Sequence, residues 1–107
     1  MLYRVTIEVD TSVADEWLAW MREVHVPDVL REPGFSRAVI AREKKNDGGT
    51  DVRFVIDYDV EGVEEMRRYF AEGAARLRAE HEARFGGRAR ASRQVLEVLA
   101  RLERPRP

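Results

Sequence analysis

The chain has 107 residues, no cysteine, and 19 basic against 20 acidic side chains, for a net charge of −1. That length suits one domain burying roughly two-thirds of its unfolded surface, and the absence of thiols excludes disulfides and thiolate metal sites. The balanced charge gives no long-range attraction to phosphate backbones, so nucleic acid is not an expected partner. No apolar run approaches the roughly 20 residues that a membrane helix needs.

Leu2 to Val9 alternates, with Tyr3, Val5, Ile7 and Val9 on one face and Arg4, Thr6 and Glu8 on the other, the period of a half-buried strand. It starts so close to Met1 that no secretory leader is expected, and a cytoplasmic protein is the reading. Ser12-Val13-Ala14-Asp15 matches a capping box and opens a helix from Val13 to Val24, with Val13, Trp17, Trp20, Met21 and Val24 as its apolar stripe. Pro27 disfavours helical geometry at Val26 and predicts a kink or restart. One further turn at Asp28-Val29-Leu30 fits before Pro33-Gly34 ends it.

Phe35 to Arg42 and Asp51 to Val60 read as two strands joined by a hairpin loop, Lys44-Lys45-Asn46-Asp47-Gly48-Gly49. Along the second of them Val52, Phe54, Ile56, Tyr58 and Val60 face one way. Val63 to Phe85 is helical, with Val63, Met66, Phe70, Ala74 and Leu77 on one face, and Gly73 predicts a bend near Glu72-Gly73. Gly86-Gly87 stops that helix, and Arg90 to Leu99 is a last strand. Residues 101–107 have no apolar period and read as a frayed tail.

This βαββαβ succession predicts an α+β, ferredoxin-like sandwich: one domain over residues 1–100, a four-stranded antiparallel sheet, and helices on one face. The predicted core is Val5, Ile7, Trp17, Met21, Phe54, Ile56, Met66, Phe70 and Leu77. The other sheet face, polar with scattered apolar residues such as Leu2 and Val55, is left for water or for a second copy of the chain.

Several stretches carry a resemblance: Leu77-Arg78-Ala79-Glu80, Ala83-Arg84-Phe85-Gly86-Gly87-Arg88 and Ala91-Ser92-Arg93-Gln94-Val95-Leu96 near the end, and Tyr3 to Asp10, Trp17 to Met21, His25-Val26-Pro27 and Pro33-Gly34-Phe35 before them. Together they resemble a bacterial family called domain of unknown function 4286. Ala75 and His81 stand where that family tends to have Pro and Gly. The resemblance implies a compact domain related to dimeric α+β barrels, and so a homodimer through the open sheet face. It brings no assigned activity and no catalytic residues.

Among residues able to do chemistry, His25 lies on or beside the apolar stripe at the end of the first helix. Imidazole there serves as a proton shuttle or ligand near neutral pH, or simply bonds a terminal carbonyl and favours the helix dipole. His81, among Glu80, Glu82 and Arg84, reads as solvated. The two histidines lack His-Glu-x-x-His spacing, so no specific metal site is expected, and no cofactor. Trp20, His25 and Tyr58 are the candidate pocket residues, converging on a small apolar or aromatic ligand between sheet and helices. Arg78, Arg84 and Arg93 are candidate carboxylate anchors, with surface ion pairing the plainer alternative. Gly86-Gly87 follows a helix rather than opening one and is no phosphate loop. Two functions survive: a homodimeric small-molecule-binding or accessory protein, and a cofactor-independent oxygenase or isomerase with His25 as base. A haem-handling variant of the latter would use His25 as axial ligand.

Overall fold

The computed structural model describes residues 1–44 and 49–107. Four strands, β1 (Leu2–Asp10), β2 (Phe35–Arg42), β3 (Asp51–Val60) and β4 (Ala89–Leu96), form one sheet in the order β2-β3-β1-β4, with every neighbour antiparallel. The chain is thus the expected α+β, ferredoxin-like fold. The tip of the hairpin loop, residues 45–48, lies outside the described residues. The last strand ends at Leu96, not Leu99, because Leu96 pairs with Leu2 at the very start of β1 and no partner strand extends further. Residues 97–107 form neither helix nor strand, although Arg101 reaches Asp59 at 3.1 Å.

Both helical arms are interrupted by a wide π turn. The first runs from a 3-10 turn (Thr11–Val13) through α1 (Ala14–Trp20) and a π turn (Met21–His25) into α2 (Val26–Val29). Its start is capped by Asp10, which accepts bonds from the Ser12 amide at 2.9 Å and the Ser12 hydroxyl at 2.8 Å. Ser12 is therefore a donor at this cap, not the capping acceptor that the sequence match suggested. Pro27 lacks an amide donor, and its ring crowds the carbonyl of Glu23 four residues back. The chain answers by widening, so that the Val26 amide donates to the Met21 carbonyl. The second arm comprises α3 (Val63–Arg68), a π turn (Tyr69–Gly73) and α4 (Ala74–Phe85), and ends at Gly86 with φ 54°. At Gly73 the two arms come close, and a Cβ would displace the tip of the Glu32 side chain.

Each π turn shifts the apolar stripe. In the first arm the buried series is Val13, Trp17, Met21, Val26 and Val29, while Val24 is 42% exposed. In the second it is Met66, Tyr69, Ala74, Leu77, His81 and Phe85, and Phe70 turns outward at 42% exposed. Phe70 was expected in the core; the extra residue in the π turn gives Tyr69 that place instead. Val63, also expected on the inner face, is exposed. The rest of the predicted core is buried, apart from Val5, which is partly covered.

The opposite sheet face carries ion pairs across the strands. Arg4 binds Asp57 through two bonds of 2.8 and 2.9 Å, Arg53 bridges Glu8 and Glu43, and Arg37 meets Asp59 at 2.9 Å. Leu2, Val39 and Val55 lie among them.

Candidate functional site

Beneath the helical arms, β1 contributes Tyr3, Val5 and Ile7 and β3 contributes Ile56 and Tyr58 to the floor of a recess. Both π turns form its walls, with Met21 and His25 from one and Tyr69 from the other. Wide turns recur at functional sites because the additional residue re-aims side chains that a regular helix would bury or expose. Here they aim an imidazole and a phenol at the same space. The enclosed part of the recess measures about 30 Å³ and the whole, with its mouth, about 410 Å³.

Two aromatic clusters flank it. On one side Tyr3 stacks on Tyr58 at 5.8 Å, and Tyr69 lies 5.0 Å from Phe35. On the other side Trp20, His25, His81 and Phe85 form a group with Trp20–His25 at 5.2 Å and His25–His81 at 5.8 Å. Burial raises the Tyr58 hydroxyl above its ordinary range, and the same cause raises Tyr69.

His25 and Tyr58 both line this recess. Trp20 does not line it, but backs the His25 ring. The Nδ1 atom of His25 is buried with no hydrogen-bond partner. Burial, reinforced by His81 and Arg93 against the opposing Asp28, lowers its pKa to about 4, so the ring is neutral at physiological pH. A buried polar atom without a partner costs roughly 1–3 kcal/mol, so this one calls for a ligand atom or water.

His81 overturns the solvated reading. It is 9% exposed, and its Nε2 accepts from the Trp17 indole N–H at 2.9 Å. An accepting Nε2 fixes the neutral tautomer with the proton on Nδ1. Burial, then Arg93, holds its pKa below the ordinary value, against Glu82. The signal was present: His81 sits four residues after Leu77 and four before Phe85, on the inner stripe of α4. Its charged neighbours in sequence disguised it.

Of the three arginines considered as anchors, Arg84 packs over Trp20 and Phe85 at 5.6 and 5.9 Å, while Arg78 and Arg93 line the recess. No group of three or more His, Cys, Asp or Glu able to hold a metal ion occurs among the described residues. Nor, among them, is any helix long and apolar enough to cross a membrane.

The family model described as Domain of unknown function (DUF4286) matches residues 1–99. The chain belongs to this family. The fold of this DUF4286 member is also that of a crystal structure of an ethyl tert-butyl ether degradation (EthD) family protein from Bacillus halodurans. The TM-score is 0.61 at 11% identity, over 91% of this chain and 100% of the other. At that identity the likeness establishes architecture alone. A comparison with curated proteins finds no match.

Proposed function

We propose that this DUF4286 domain is a homodimeric small-molecule-binding or accessory protein whose ligand occupies the recess between sheet and helices. The observation that carries the reading is His25 Nδ1, buried and unpartnered at a recess with apolar walls. A small apolar or aromatic molecule with one polar group would satisfy that nitrogen and bury its own apolar surface against Met21, Val29 and Ile56. The open sheet face, with Leu2, Val39 and Val55 between its ion pairs, supports dimerisation, because no helix among the described residues covers it.

The enzyme reading, a cofactor-independent oxygenase or isomerase, is favoured by the neutral His25 lone pair beside three phenols. Binding is preferred because a general base works best with a pKa near the operating pH, and His25 lies well below it. A porphyrin does not fit a recess whose enclosed part holds about one or two waters, which counts against His25 as a haem ligand.

The test is a titration of the protein with a set of neutral and anionic apolar fragments, followed by amide NMR shifts. Binding should move Met21, His25, Val29 and Tyr58 together, and His25→Leu should weaken it about tenfold, near 1.4 kcal/mol. A fragment set that leaves all four unmoved would sink the proposal.

A further inference from the structure

The recess carries positive charge on one side only. Arg78 of α4 and Arg93 of β4 line it, and with His81 and Ala91 they form the wall it shares with an open outer groove between α4 and β4. Among the described residues no Asp or Glu lines the recess, and Glu82 belongs to the outer groove. Elsewhere on the sheet, Arg4, Arg37, Arg53 and Arg90 are each taken up by a carboxylate. Among the described residues, neither Arg78 nor Arg93 has such a partner. Arg78 instead extends over the Phe70 ring at 5.8 Å and reaches the Tyr3 hydroxyl at 3.5 Å, and the Arg93 side chain makes no hydrogen bond or ion pair among the described residues.

Two permanent cations therefore sit at the rim of a recess that is apolar or neutral within. We infer that its ligand is a small apolar monocarboxylate, with the carboxylate on Arg78 and Arg93 and the apolar body against Val5, Ile7 and Met21. The planar guanidinium fork matches a carboxylate, and the bond is charge-assisted. The enclosed part holds about one or two waters, so the apolar body would lie largely in the open mouth, which favours a short chain or single ring over a larger acid. This rests on the recess being the ligand site, and it names the class of ligand.

The experiment titrates the full chain with butyrate and benzoate, and with butanol and benzyl alcohol as neutral counterparts, reading amide and imidazole shifts. The acids should bind at the recess, about tenfold or more tightly than the alcohols. Arg93→Gln should lose about that factor for the acids and leave the alcohols unchanged, Arg93→Lys should keep part of it, and Arg84→Gln should change neither. Among the described residues the Arg93 side chain has no hydrogen bond or ion pair to lose, and an unchanged melting temperature of Arg93→Gln would separate ligand recognition from folding. Alcohols binding as well as acids, with Arg93→Gln indifferent, would overturn the carboxylate while leaving the recess a ligand site. Recess shifts with none of the four compounds would remove both readings. Inorganic phosphate displacing benzoate at equal concentration would reduce the arginines to a general attraction for anions and overturn the inference.

Discussion

Phe54 is 1% exposed, and the Trp17 ring lies 4.7 Å from its own, so truncating it empties the centre of the sheet–helix interface. Phe54→Ala should cost about 3–5 kcal/mol in denaturant unfolding. A loss below about 1 kcal/mol would mean that the cavity closes over and that the packing is loose. Trp17 and His81 act as a pair: Trp17→Phe keeps a ring but strips His81 Nε2 of its donor. The expected cost is about 1–3 kcal/mol, with the imidazole nitrogen resonances moving away from the fixed tautomer. Unchanged resonances would show that the bond does not persist in solution. For His25 the sign follows from its pKa, about 4 when folded against 6.5 when unfolded. Above pH 6.5 both states are neutral and stability is flat. As pH falls from 6.5 toward 4 the unfolded chain takes up the proton first, so stability drops, on the order of 2–3 kcal/mol in all. His81 contributes in the same direction. His25→Phe should flatten the part of this slope due to His25 in denaturant melts between pH 7 and 4.5. An unchanged slope would place that ring in water.

At the scale of elements, the π turns determine which side chains meet. Alanine is ordinarily the better helix former, by about 1 kcal/mol over glycine. At Gly73 the backbone is ordinary helical backbone and a Cβ would meet only the far end of the Glu32 side chain, which can swing aside, so Gly73→Ala should stabilise by up to about 1 kcal/mol. A loss instead, relieved by adding Glu32→Ala in a double-mutant cycle, would show the Glu32 carboxylate to be held in place. Gly34 presents the other case: φ of 81° together with crowding by the Glu65 side chain. Its turn brings the chain from α2 into β2, and the Glu61 amide donates to its carbonyl at 2.9 Å.

For the whole molecule, the uncovered sheet face leads to the expectation of a dimer. Sedimentation at tens of micromolar, a range in which interfaces of standard size hold, should give twice the 12.4 kDa chain mass. Val55→Lys, near the middle of that face and paired with Thr6, should yield folded monomer. A clean 12.4 kDa species for the unmodified chain would show the ion-paired face to be solvated.

Much of this was legible in the chain itself. The alternation of β1 and β3, the helix stop at Gly86 and the burial of Phe54, Trp17 and Leu77 follow from periods of two and of about 3.6, which are local properties. Proline at 27 and glycine at 73 even marked where each helical arm would give way. What they left undetermined was the manner of giving way. A kink and a π turn begin from the same residues, but a π turn adds one residue to the spacing, so that buried Met21 is followed by Val26 and buried Tyr69 by Ala74, leaving Val24 and Phe70 outside. The meeting of His25 with His81 was likewise beyond the sequence, because it joins elements far apart in the chain. Sequence period determined the layers; the phase shift that each π turn puts into its helical arm decided what faces the recess, because one added residue re-aims every side chain beyond it.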